Sequence, residues 1–116
     1  MPVIIKTRAN VIYAYLKGEI DHHTAPEMRN AIDDAIIMNE AFRLLVLDFS
    51  GVTFMDSSGV GLVMGRFRLA NSKGKNIRVD NLSERDYRIM KMSGIEKLAP
   101  INKITEKKDE LTYEKD

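Results

Sequence analysis

The chain has 116 residues, 44% of them hydrophobic and 30% charged, which is the balance of one soluble domain with one core. It has no cysteine, which excludes disulfides, thiolate nucleophiles and cysteine metal sites, and leaves His22 and His23 as its side-chain nitrogen ligands. The formal net charge is +1 with basic residues scattered along the chain, so nothing favours direct nucleic-acid binding, and no apolar run approaches the roughly 18 residues of a membrane span.

The N-terminal Met1 to Lys6 lacks the pattern of a signal peptide, so the cytoplasm is the expected location. Val3 to Arg8 and Val11 to Lys17 are rich in β-branched and aromatic residues and are separated by Ala9-Asn10. They predict two antiparallel strands joined by a short turn, the second ending at Gly18. Thr24 followed by Glu27 reads as a capping box, with Pro26 in the first turn of a helix that runs to about Asn39. Met28, Ala31, Ile32, Ala35 and Ile36 form its expected core face, while Glu27, Arg29, Asp33 and Asp34 point outward.

Leu44 to Phe49 is almost continuously apolar, which predicts a strand at the centre of the sheet. A loop is expected from Ser50 to Asp56. A second helix follows, with Val60, Val63, Met64 and Phe67 at helical spacing and a stop at Lys73-Gly74. Asn76 to Asp80 reads as a short strand. Ser83 with Asp86 caps a third helix closed by Gly94, and Lys97 to Ile101 is expected as an edge strand. Alternating strands and helices imply parallel pairing with right-handed crossovers. The expected fold is α/β: one domain over residues 1–116, a small mixed sheet of four to five strands with helices packed against it. The charged segment Thr105 to Asp116 reads as either a weak terminal helix or a frayed tail.

The chemistry concentrates in Phe54-Met55-Asp56-Ser57-Ser58-Gly59-Val60-Gly61, at the expected carboxyl end of the central strand. Asp56 or Ser57 suits a helix cap, and a phosphate on Ser57 or Ser58 suits the same helix N-terminus. Neither serine lies in a G-x-S-x-G elbow, and no lysine completes a phosphate-binding loop. A serine hydrolase remains an alternative if His22 or His23 serves as base. Asp48 lacks the acidic pair of a phosphate-accepting receiver domain. Gly59, Gly61 and Gly65 each weaken a helix, which points either to tight internal packing or to a surface approached by a partner. Gly59 and Gly61, beside the serines, fit the partner better. Asp21-His22-His23-Thr24 is a poor metal set and reads as a solvated loop or part of the same rim.

These residues resemble a known family. Phe54 to Gly61 is similar to the phosphorylation motif of the anti-sigma-factor antagonists of the STAS-domain family. Leu16 to Ala25 resembles their sporulation (stage II) branch, and the Met92-Ser93-Gly94-Ile95 turn also matches. The resemblance implies a partner that is both an anti-sigma factor and a serine kinase. Binding it would release the sporulation sigma factor. Phosphorylation on Ser57 would abolish binding, and a serine phosphatase would restore it. Asp56, Ser58 and Gly59 map to the rest of the motif, and Glu19, Asp21 and His22 to the adjacent loop that borders the kinase. No cofactor is implied, since ATP and ADP belong to the kinase. A monomer is the expected free state, and a nucleotide-binding STAS module is the other alternative.

Overall fold

The computed structural model describes residues 2–105, so the expectation of a terminal helix or tail lies largely outside the described residues. The strands are β1 (Val3–Arg8), β2 (Val11–Ile20), β3 (Leu44–Met55), β4 (Asn76–Leu82) and β5 (Ile101–Lys103). The helices are α1 (Ala25–Met38), α2 (Ser57–Ser72) and α3 (Glu84–Met92), with a single 3-10 turn at Ile95–Lys97. The five strands lie in chain order across one sheet. β1 runs antiparallel to β2, and every later pair is parallel. The hairpin between β1 and β2 turns at Ala9, whose φ of 54° is left-handed.

Alternation along each strand selects one face for the core. Ile12, Ala14 and Leu16 of β2, Leu45, Leu47 and Phe49 of β3, and Ile77 and Val79 of β4 join Met28, Ile32, Ala35 and Ile36 of α1 in one apolar cluster. β3 is central, as expected. On its other face Asp48 is buried at 8% exposure and fully engaged. It accepts from the Ser50 amide at 2.8 Å, the Ser50 hydroxyl at 2.6 Å and the Asn81 side-chain amide at 2.7 Å. This ties β3 to β4 just beyond Asp48↔Asp80, where their pairing ends. No helix among the described residues is long and apolar enough to cross a membrane.

Several elements differ from the sequence expectation. β2 and β3 do not stop at Gly18 and Phe49. They run on in parallel to Ile20↔Met55 through register shifts between Tyr15 and Lys17 and between Gly18 and Glu19. Gly18 supplies a φ of 84°, and a Cβ on Gly51 would lie 2.9 Å from the Leu16 carbonyl oxygen, so both glycines serve the irregular ladder. The segment expected as a loop from Ser50 to Asp56 is therefore mostly strand. β5 begins at Ile101 because Gly94, at φ 87°, starts the 3-10 turn that uses up Ile95 to Lys97.

The capping box at Thr24 does not form. Thr24 Oγ1 accepts from the Asp21 amide at 3.0 Å and donates to the Glu19 carbonyl at 2.8 Å, so it faces backward into the loop. The Ser83 cap does form, its hydroxyl accepting from the Asp86 amide at 3.1 Å. The buried face of α2 is Gly59, Leu62, Val63, Arg66 and Ala70. Val60, Met64 and Phe67 are only partly buried against the core, because α2 faces α1 as well as the sheet. Asp33 is correspondingly not an outward residue: its Oδ1 lies 2.9 Å from Arg66 Nε, with the arginine side chain only 8% exposed.

This pair sets a stability difference between two neighbouring acids. Asp33→Ala leaves a buried guanidinium without its counter-charge and should cost about 1–3 kcal/mol in urea unfolding, whereas exposed Asp34→Ala should stay within about 0.5 kcal/mol. Equal midpoints for the two variants would show that the Arg66 contact is not stabilising.

Candidate functional site at the carboxyl ends of β2 and β3

The continued β2–β3 ladder brings the two motifs together. Glu19 pairs with Phe54 and Ile20 with Met55, and the Asp56 amide then donates to the Ile20 carbonyl at 3.1 Å. Two segments 35 residues apart in sequence thus leave the sheet side by side. Glu19, His22, Ser57 and Gly61 are exposed there, with Asp21, Asp56 and Ser58 half-buried among them.

Asp56 is the cap of α2. Its backbone is extended, and its Oδ1 accepts from the Ser58 amide at 2.7 Å. The Gly59 amide turns back to the Asp56 carbonyl at 3.0 Å. Two of the first free amides of the helix are therefore already used. Ser57 is the first helical residue, and its hydroxyl makes no hydrogen bond among the described residues. Cap and exposed hydroxyl are separate residues, which the sequence left open.

The three glycines of α2 divide into two kinds. Gly59 is buried, and a Cβ there would run into the Met55 side chain, so it supports the surface from beneath and presents nothing to a partner. At Gly61 and Gly65 an added Cβ would meet no atom within 4 Å. Tight internal packing explains the first glycine and fails for the other two. Both open onto a groove of about 300 Å³ between α1 and α2, which Ser58 and His22 also line.

The Asp21 loop is organised by its own carboxylate. Oδ1 accepts from the Thr24 amide at 3.0 Å and the His23 amide at 2.9 Å, so Asp21 holds the Thr24 amide that Glu27 would accept in a capping box. These two amides, Thr24 first, hold the Asp21 pKa below its ordinary value. The rings of His22 and His23 stand 4.0 Å apart and are exposed. Among the described residues no group of three His, Cys, Asp or Glu could hold a metal ion.

A serine-hydrolase relay is not assembled. The Asp56 and Asp21 carboxylates are committed to backbone amides, and among the described residues neither serine hydroxyl meets a histidine nitrogen.

Sequence reasoning missed Arg85. From α3 its Nη1 donates to the Met55 carbonyl at 3.1 Å, meets Asp86 Oδ1 at 3.2 Å, and its guanidinium sits 5.5 Å from the centre of the Phe54 ring. It pins the last residues of β3 immediately before the serines. No spacing rule links positions 30 residues apart on different elements.

Two measurements follow from this geometry. Gly59→Ala should lower unfolding stability by about 1–3 kcal/mol, while Gly61→Ala should raise it by about 0.4–1 kcal/mol; the reverse order would contradict the packing described. Asp21 should titrate below the usual aspartate range when followed by carboxyl NMR, with the His23 and Thr24 amides reporting the same midpoint. Its folded pKa is depressed, so the contribution of this loop is present above the unfolded pKa and lost as pH falls through the folded one. A midpoint at or above the ordinary value would contradict these bonds.

Comparison with known proteins agrees with this architecture. The STAS domain family model matches residues 2–110. The chain is 38% identical over 91 residues to the anti-sigma F factor antagonist of Paenibacillus polymyxa, covering 78% of this chain and 77% of that one. It is 30% identical over 100 residues to the anti-sigma-B factor antagonist of Bacillus subtilis (strain 168), covering 86% and 89%. Among solved structures it is similar to the anti-sigma factor antagonist SpoIIAA in its unphosphorylated form, with TM-score 0.65, 25% identity and 97% of both chains covered. The phosphorylated form of the Bacillus cell fate determinant SpoIIAA matches with TM-score 0.68 and 26% identity, over 96% of this chain and 97% of that one. The chain belongs to the STAS domain family, on the branch of the SpoIIAA-like anti-sigma factor antagonists.

Proposed function

We propose that the chain is a phosphorylation-switched anti-anti-sigma factor of the cytoplasm. Unphosphorylated, it binds an anti-sigma factor that is also a serine kinase and so frees the sporulation sigma factor. The kinase, using its own ATP, then phosphorylates Ser57 and ends the complex; a serine phosphatase resets it. The observation that carries this reading is the position of Ser57: an exposed hydroxyl at the first turn of α2, beside the exposed Glu19 and His22, with the capping role already filled by Asp56.

Magnitudes indicate how such a switch works. Moving a partner from mostly bound to mostly free takes about 5.5 kcal/mol of differential affinity. A helix N-terminus favours a phosphate by only ~0.3–1 kcal/mol at the surface, and here the Ser58 and Gly59 amides are already taken. Asp56 adds like charge. The isolated protein therefore gains little from the modification, and its weight falls on the interface, where burying an unpaired dianion costs several kcal/mol. A phosphate of about −1.5 to −2 also reverses the sign of the net charge of +1. Structures of SpoIIAA in the unphosphorylated and in the phosphorylated form both share the fold of this chain, with TM-scores of 0.65 and 0.68.

The test is incubation with the partner kinase and ATP, followed by mass mapping of the phosphate. Phosphate on Ser57 is expected; phosphate on Ser58, or none, contradicts the assignment. Ser57→Ala should bind the kinase and never take phosphate. Ser57→Asp should bind more weakly, although one charge is an incomplete stand-in for two.

A further inference from the structure

The groove between α1 and α2 is lined by two arginines and no carboxylate. His22 lines it from the loop, Arg29 from α1 and Arg66 from α2. Arg66 is 7% exposed, so more than nine-tenths of it is buried. Its Nε approaches Asp33 Oδ1 at 2.9 Å, but the two are not aligned as a hydrogen bond. Among the described residues neither of its amino groups donates a hydrogen bond, and no carboxylate pairs with Arg29. Burial pushes the Arg66 pKa down, Asp33 opposes this, and the charge of Arg29 adds to it. The surroundings thus hold a second cation close to a buried one, with a single carboxylate between α1 and α2 to offset them.

Above these cations the wall is missing. Gly61 and Gly65 leave open space where any other residue would place a Cβ, although each glycine weakens the helix by about 1 kcal/mol relative to alanine. Among the described residues nothing fills the opening. A desolvated guanidinium with free donors is best matched by a carboxylate, which accepts two parallel bonds from its fork.

We infer that this groove receives an aspartate or glutamate side chain of the partner kinase, its carboxylate against Arg29 and Arg66 and its backbone passing over Gly61 and Gly65. The inference rests on the proposed function and specifies the chemistry of that contact. It also links the contact to the switch. Ser58 lines the groove, so a dianion on the neighbouring Ser57 brings like charge to the side of the incoming carboxylate.

The experiment measures the affinity of the ADP-loaded partner kinase for wild type, Arg29→Glu and Gly65→Leu by calorimetry. Arg29 is exposed and the space at Gly65 is open, so both variants should keep the wild-type circular dichroism and melt no lower than wild type, Gly65→Leu somewhat higher. Each is expected to weaken binding by about tenfold or more. A single Asp→Lys or Glu→Lys change on the docking face of the kinase should restore binding to Arg29→Glu. Wild-type affinity in both folded variants would overturn the groove and leave the proposed function standing. Failure of wild type itself to bind would instead overturn the function. If inorganic phosphate saturates the Arg29, Gly61 and Gly65 amide shifts while kinase affinity is unchanged in both variants, the groove is a small-anion site and the inference fails.

Discussion

The parallel pairing of β2 and β3 beyond Gly18 and Gly51 is the constraint on which the functional end depends. Without the irregular register at these glycines the two strands would part near Leu16 and Phe49, and their loops would diverge. With it, the ladder continues to Ile20↔Met55 and is extended by the Asp56 amide on the Ile20 carbonyl. The Asp21 loop and the start of α2 are then fixed to adjacent strand ends. Gly18 is needed for its left-handed backbone, and Gly51 for the close approach of the Leu16 carbonyl. Local strain tolerated by two glycines thus creates a composite surface from segments far apart in sequence.

On that frame, each polar group near the serines has a defined task. Asp56 caps the helix, Asp21 closes its own loop, and Arg85 holds the Met55 carbonyl from α3. Ser57 is left with an exposed hydroxyl and no structural duty. A side chain that supports nothing can be modified without disturbing the fold. On the proposed function, a charge placed there would act on whatever approaches the surface and leave the scaffold in place. Gly59 belongs to the scaffold through Met55, whereas Gly61 and Gly65 belong to the surface.

Much of this was legible in the sequence. The α/β alternation, the central position of Leu44 to Phe49, the hairpin at Ala9-Asn10 and the cap at Ser83 all rest on local patterns, and local patterns are what a sequence displays. The longer β3 was not legible because Ser50 to Phe54 lack a buried alternating stripe, being exposed or half-exposed throughout. Glycine at position 18 reads as a strand end by propensity, and only its neighbour β3 makes it a bulge. The Thr24–Glu27 pattern fits a capping box, but Asp21 takes the Thr24 amide that Glu27 would accept, and the Thr24 hydroxyl turns back to the Glu19 carbonyl. Asp33 with Arg66, and Arg85 with Met55, join elements with no fixed spacing between them, and such contacts appear only when the helices are placed.

The central claim is that the β2–β3 end is a preformed frame that phosphorylation charges without rebuilding. Amide hydrogen exchange of the unphosphorylated and Ser57-phosphorylated protein, read residue by residue, tests it most directly. The Asp56 amide, bound to the Ile20 carbonyl, and the amides of β3 should keep their protection, with changes confined to the first turn of α2. Loss of protection at Asp56, or along the strand ends at Glu19 to Ile20 and Phe54 to Met55, would show that the switch works by opening the frame and would contradict this account.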